Sequence, residues 1–223
     1  MAEARETRPV SWIRAALKEF ETFPEDAQFI LLRALTIAAD GGKADVAKPI
    51  QGFGSGVFEI ALAFRGDAFR VIYAIQVAEE ICGDTRISEE VQAGHQDAQT
   101  RDRRSEGPLE EIEGGTPMKT DKLQLVRGSG NVFRDLGREN ADVEQLKALL
   151  ASEIIKVLDR DELTVRAAHA RSGFAAADFS RIRNAELDRF TADRLVSILN
   201  RLGSRVEVKI RVRPEPVQGE ARV

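Results

Sequence analysis

The chain has 223 residues, of which 43% are hydrophobic, enough for one large core or two small ones. No apolar run approaches the length of a membrane span, and the N-terminus MAEARETRP lacks the apolar stretch of a signal peptide, so a cytoplasmic protein with no membrane partner is expected. The net charge of −4 is unevenly spread: residues 1–117 carry 13 Lys and Arg against 21 Asp and Glu, while residues 118–223 carry 20 against 16. The basic half suits a polyanionic partner, and the acidic half does not. Cys82 is the only cysteine, which excludes an internal disulfide and a cysteine-based metal cluster. His95 and His169 stand alone, without a neighbour at metal-ligand spacing, so neither a metal nor a cofactor is expected.

In chain order, the first elements are two helices. Trp12, Ala15, Ala16 and Phe20 recur at helical spacing, as do Ala27, Ile30, Leu31, Leu35, Ala38 and Ala39. Pro24 stands at the start of the second helix, where a missing N–H costs little, and Gly41-Gly42 ends it. Gly52, Gly54 and Gly56 resemble a phosphate-cradling loop, but they precede a strand and not a helix, so a turn into a hairpin is the better reading. The hairpin itself is VFEIALAF (57–64) and FRVIYAIQV (69–77), joined by Arg65-Gly66-Asp67. Residues 82–117 then carry nine acidic side chains and no aromatic one, which is the composition of a disordered linker. Glu110-Glu111 lies in that stretch and is no catalytic pair. Gly128 and Gly130 form a flexible lead-in to the second half.

There, residues 143–158 place Leu146, Leu149, Leu150, Ile154, Val157 and Leu158 at core spacing. The stretch LTVRAAHARSGFAAADFSRIRNAELDRFTADRLVSILNRLG (163–203) reads as two helices crossing steeply at Gly173, the residue type that enters a left-handed turn cheaply. Ala168, Phe174, Phe179 and Ile182 should face a shared core. Ala175, Ala176, Ala177, Asp178, Ser180, Arg181 and Arg183 should point outward. Small residues let a helix sit deep in a major groove, and arginine reads guanine or clamps phosphate. Thr191 reads as the N-cap of a last helix and Gly203 as its stop. Residues 205–212 alternate with period two, so a strand is expected with Val206, Val208, Ile210 and Val212 on one face. Such a lone strand needs a partner edge, which a second copy of the chain would supply.

Two resemblances follow from these residues. Leu163-Thr164, Ala168, Gly173, the run Phe179 to Asn184, Phe190-Thr191 and Asp193-Arg194-Leu195 are similar in order and spacing to Xre-type helix-turn-helix proteins, in particular the HigA-type antitoxins, over residues 132–212. Phe174 and Ala175 depart from the family, which often has a smaller aliphatic and a polar residue there. Val10-Ser11-Trp12, Phe23-Pro24, Lys48-Pro49, the run Gly52 to Ile60 and the run Phe69 to Tyr73 resemble the HigB branch of the RelE-like toxins over residues 8–81. Those toxins are small ribonucleases that cut messenger RNA on the ribosome. In them the arginine matching Arg70 faces the scissile phosphate, and a basic tail like HAFQKKSKxGIKTPKxEID completes the active surface. No such tail follows Glu80 here.

The missing tail has a trace. With each codon of residues 87–103 started at its second base, permitted codons yield FQKKSKxGIKTPKxEID at consecutive positions. Glu113-Gly114-Gly115 can be encoded by a ribosome-binding sequence just upstream of Met118, the only methionine besides Met1. A one-base slip near residues 80–82 would thus fuse a toxin gene to the antitoxin gene behind it. An ordinary acidic linker between two fused domains is the alternative.

The resemblances imply an α+β chain in three parts. Residues 1–81 are a truncated RelE-like domain of two helices and a hairpin, 82–117 a disordered linker, and 118–223 an all-α helix-turn-helix domain with a C-terminal strand. They imply an antitoxin-like repressor that binds operator DNA as a homodimer through its C-terminal half, with a cognate HigB-like toxin as a further partner. The candidate DNA contacts are Thr164, Ala175, Ala176, Ala177, Asp178, Ser180, Arg181, Arg183 and Asn184. Arg181 and Arg183 are placed for base or phosphate, Thr164 and Ser180 for phosphate, and Asn184 for phosphate or as a helix cap. Two other readings stay open. One is a messenger-RNA endonuclease with residual activity centred on Arg70. The other is an inert fusion whose N-terminal half fails to fold.

Overall fold

The computed structural model describes residues 8–50, 56–74, 91–93 and 124–208. Its first strand, β1 (Trp12–Ile13), runs straight into α1 (Arg14–Phe20). The helical spacing from Trp12 therefore overshoots by two residues, because the backbone of Trp12 and Ile13 is drawn into a sheet ladder. The Trp12 ring packs 4.8 Å from Phe20, which in turn lies 5.6 Å from Phe23. Helix α2 (Glu25–Ala39) begins after Pro24, with Glu25 and Asp26 in the first turn, where acidic groups complement the positive end of the helix. Twelve of its fifteen residues are buried, so it is covered on both sides and not laid on a surface.

Strands β2 (Ala47–Pro49), β3 (Val57–Phe64) and β4 (Asp67–Ala74) form an antiparallel meander. Arg65 and Gly66 turn the hairpin with φ of 53° and 95°, the left-handed pair whose twist matches that of the flanking strands. Side chains alternate as the pleat demands. Ile60, Leu62, Phe69, Val71 and Tyr73 are buried, while Ala61, Ala63, Ala68 and Arg70 are exposed. The second strand begins two residues earlier than its apolar run suggests, and residues 75–77 lie outside the described residues.

The acidic stretch departs from the expected disorder at one point. Within it, β5 (Val91–Ala93) pairs antiparallel with β4, Tyr73 opposite Val91, and parallel with β1, Trp12 opposite Val91. A strand edge presents unpaired N–H and C=O groups, and any extended segment can satisfy them whatever its side chains. The rest of 82–117 lies outside the described residues. After it, β6 (Leu125–Val126) runs antiparallel to β1, giving the sheet order β2-β3-β4-β5-β1-β6.

The second half is helical: α3 (Val132–Asp135), α4 (Ala141–Arg160), α5 (Val165–Ser172), α6 (Ala176–Arg183) and α7 (Ala192–Arg201). Helix α4 is its axis, packed on α2 to one side and on α6 and α7 to the other. The expected core stripe of α4 is corrected in its first turns. Leu146 is 39% exposed, while Lys147 is buried. The reason is the partner that α4 faces: α2 brings in Arg33, which demands acceptors. Arg33 is 2% exposed and donates to Glu144 and to Asp188, both at 2.8 Å, and Lys147 closes the cluster on Glu144 at 2.8 Å. Nearby, the chain after α2 approaches α4 so closely that a Cβ on Gly42 would stand 2.6 Å from Ser152 Oγ. One apolar core thus runs through both halves, from Trp12 and Phe20 through Leu31 and Ile155 to Phe179 and Leu195.

Helix α7 starts after Thr191 and stops before Gly203 as expected, although the Thr191 side chain makes no capping hydrogen bond. The expected C-terminal strand does not begin at residue 205. Residues 205–208 pair with no strand, and residues 209–212 lie outside the described residues. An alternating pattern becomes a strand only when an edge is supplied, and residues 205–208 have none among the described residues. Among the described residues no helix is long and apolar enough to cross a membrane.

Because the seam between the halves contains buried charge, Arg33→Ala should cost about 3 kcal/mol by leaving Glu144 poorly compensated. Chemical denaturation of the full chain should show that loss within one cooperative transition. Two separate transitions in the parent chain would contradict the shared core.

Candidate nucleic-acid interface

Helix α5 is started by Thr164, whose Oγ1 accepts the Ala167 backbone N–H at 3.2 Å. It is ended by Gly173 at φ +80°, whose N–H donates to the His169 carbonyl at 2.8 Å. A Cβ on Gly173 would meet nothing within 4 Å, so glycine is needed there for backbone conformation and not for space. The turn is stitched by side chains. Ser172 Oγ donates to the Ala168 carbonyl at 2.6 Å and accepts the Phe174 N–H at 3.2 Å, and His169 Nδ1 lies 2.7 Å from the Phe174 carbonyl. Beneath the turn, Ala168, Phe179 and Ile182 are fully buried and Phe174 is packed half-buried against them. The crossing of α5 and α6 is therefore fixed by both core and hydrogen bonds.

This leaves one face of α6 outward. Ala175, Ala177 and Ser180 are exposed, and Ala176, Arg181 and Asn184 are partly so. Thr164 is exposed at the start of α5, although its hydroxyl already serves as the cap. Asn184 stands at the C-cap of α6, its backbone N–H bonded to the carbonyls of Ser180 and Arg181 at 3.1 Å.

Two residues differ from their expected outward direction. Asp178 is 8% exposed, tucked into the first turn of α6, where its carboxylate faces Arg194 Nη2 at 2.7 Å and Arg181 Nη1 at 3.4 Å. Two guanidiniums and the helix dipole make that burial tolerable. Arg183 turns to the flank of α6 and bonds Asp159 at 2.7 Å and Asp45 at 3.4 Å, while the Asp45 N–H donates to the Arg183 carbonyl at 2.7 Å. The N-terminal half thereby holds the end of the outward helix. A cleft of about 380 Å³ opens at that junction, lined by Lys43, Asp45, Lys48, Asp159 and Arg183.

Arg194 is the residue that sequence reasoning missed. It stands in the first turn of α7, half-exposed, with its guanidinium 5.6 Å from the Phe190 ring centre. Its signals in the sequence are a position three residues after the N-cap Thr191 and a place in the run Asp193-Arg194-Leu195 that carries the helix-turn-helix resemblance.

The hairpin presents a different chemistry. Arg70 is half-exposed on the outer face of the sheet, and its Nη1 donates to Glu59 Oε1 at 2.8 Å across β3 and β4. Tyr73 points inward, stacked 5.5 Å from Phe58, and burial pushes its phenol up to about 12. Arg70 is thus balanced by a carboxylate, and Tyr73 stays protonated at neutral pH.

Residues 132–211 match the family model of a helix-turn-helix domain, and residues 18–82 match that of a phage-derived Gp49-like protein. No curated protein and no solved structure matches the chain. The chain therefore joins a Gp49-like domain at its N-terminus to a helix-turn-helix domain at its C-terminus, and the latter supports binding to DNA.

Since Gly173 occupies a backbone region closed to branched side chains, Gly173→Val should destabilise the turn by about 1–3 kcal/mol. The amides of α5 and α6 should then exchange faster with solvent than those of β3 and β4. Unchanged exchange in α5 and α6 would show that the turn tolerates the strain.

Proposed function

We propose that the chain is an antitoxin-like transcriptional repressor of a toxin–antitoxin operon, carrying a HigB-like toxin domain that has lost its activity. The observation that carries this reading is the outward face of α6. It is a short helix locked over a core through Ala168, Phe179 and Ile182, presenting small residues and Arg181 to solvent. Such a helix fits the major groove, with Ala175, Ala176 and Ala177 near the base edges. Ser180 and Asn184, expected from sequence at a phosphate or a helix cap, join them in this reading because they lie on the same outward face as Ala177. Thr164, at the start of α5, lies where a phosphate would be met. A two-fold operator is bound by two copies of the chain joined through their C-terminal halves. In this reading residues 1–81 descend from the toxin and residues 118–223 from an Xre-type HigA antitoxin, whose other partner is a separate HigB-like toxin.

The loss of activity has a stated cause. The Gp49-like match stops at residue 82, where the shifted frame would begin. Beyond it the basic tail is replaced by an acidic segment, and what remains around Arg70 is the neutralising carboxylate of Glu59.

Two outcomes are expected. The full chain should enrich a palindromic site from a pool of random-sequence duplexes, with affinity that falls steeply as salt rises. A pool that emerges without enrichment would refute DNA recognition. Expression of the full chain should neither arrest growth nor cleave messenger RNA, and the shifted frame over residues 83–113 should be open, Lys-rich and closed by a stop codon near Met118. Restoring one base near codon 82 should then restore toxicity. Ribosome-dependent cleavage by the unaltered chain would contradict this half of the reading, and a stop codon inside the shifted frame would remove its genetic explanation.

A further inference from the structure

We infer that Arg181 and Arg194, gathered on the carboxylate of Asp178, form a clamp for one DNA backbone phosphate at the flank of α6, and that Asp178 is the positioning residue of that clamp. The inference rests on the DNA-binding reading above and gives roles to two residues which that reading either leaves undecided or does not use.

Three observations lead to it. First, Asp178 holds two guanidiniums at once, Arg194 at 2.7 Å and Arg181 at 3.4 Å, while its own side chain is 11% exposed. One carboxylate balances one cation, so the cluster keeps a net positive charge. Second, that charge is open to solvent: the side chains of Arg181 and Arg194 are 37% and 45% exposed. The Phe190 ring beside Arg194 and the i, i+3 spacing of Asp178 and Arg181 on one helix limit how far either guanidinium can swing. Third, the cluster lies on a flank of α6. An α-helix with its side chains is about 10–12 Å across, and the major groove is about 12 Å wide. A helix that fills the groove meets bases with the middle of its outward face and meets phosphates with its flanks. On α6 the middle of that face is Ala177, Ser180 and Asn184. Arg181 lies to one side of them, toward α7, and Arg183 lies to the other and is already engaged by Asp159 and Asp45.

The clamp then works by preorganisation. A free arginine loses side-chain freedom when it binds phosphate. Here Asp178 has already gathered both guanidiniums, and a phosphate entering between them receives charge-assisted hydrogen bonds from two elements, α6 and α7. Such a contact fixes register along the duplex and carries no sequence information. Sequence would be read by α6 through Ala177, Ser180 and Asn184.

The test uses the full chain and the duplex enriched from a random-sequence pool, together with its single-base variants. Arg194→Ala should weaken binding about tenfold or more. It should do so to the same extent for every single-base variant, and it should reduce the slope of log K against log salt by about one. Arg181→Ala should behave alike. Asp178→Asn separates positioning from charge. Removing a carboxylate from a DNA-facing surface would raise affinity on electrostatic grounds alone. A positioning role instead gives a several-fold fall, with the salt slope kept and thermal melting close to that of the parent. Arg194 is half-exposed, so its variant remains decisive even if Asp178→Asn fails to fold. Parent-like affinity in Arg194→Ala, or a changed preference at a single base, overturns the clamp while leaving DNA binding intact. A parent chain that enriches no duplex overturns both.

Discussion

The guanidinium of Arg33 inside the seam between α2 and α4 is the constraint on which the arrangement of the molecule depends. A buried cation is costly unless its acceptors are brought to it. Glu144 comes from α4 and Asp188 from the loop behind α6, so a single side chain of the N-terminal half fixes both the rotation of α4 and the position of that loop. Gly42 reinforces the choice, because a Cβ there would stand 2.6 Å from Ser152 Oγ and 2.9 Å from Ile37 Cγ2 and would force one of them to move. Helix α6, which carries the outward face, is thereby referenced to the sheet through α4 and through Asp45.

That dependence gives the N-terminal half a structural role in placing the helices behind it. Its sheet is extended by β5 from the acidic segment and by β6, so the edges that β4 and β1 present are paired. Its outward face carries Arg70 in the grip of Glu59, which is a poor arrangement for stabilising a developing phosphorane. A domain of this kind contributes core and rigidity. The surplus of positive charge lies in the other half, which contains the helix-turn-helix domain.

Local signals and distant partners divide what the sequence discloses. Gly173 between α5 and α6, the Arg65-Gly66 turn and the start of α2 after Pro24 depend on neighbours within a few residues, and all were legible. The burial of Lys147, the inward turn of Asp178 and the capture of Arg183 were not. Two of these depend on partners far along the chain: Arg183 meets Asp45 across 138 positions, and Lys147 joins a cluster in which Arg33 meets Glu144 across 111. Asp178 turns inward to Arg194 of the next helix, 16 positions on. Charged residues on a helix read as solvent-facing by default, and only tertiary contact shows which of them were folded inward. The strand at Trp12 escaped for the same reason, since β5 and β6 lie far downstream. The expected strand at 205–212 is the opposite case, a clear local pattern whose first four residues, 205–208, find no paired edge among the described residues.

Hydrogen–deuterium exchange of the full chain, with and without an enriched duplex, bears most directly on the division of labour between the two halves. Protection should appear in α5, α6 and the first turn of α7, while β3 and β4 exchange as they do in the free protein. Protection centred on the outer face of β3 and β4, around Arg70, would contradict it and assign the nucleic acid to the toxin-like half.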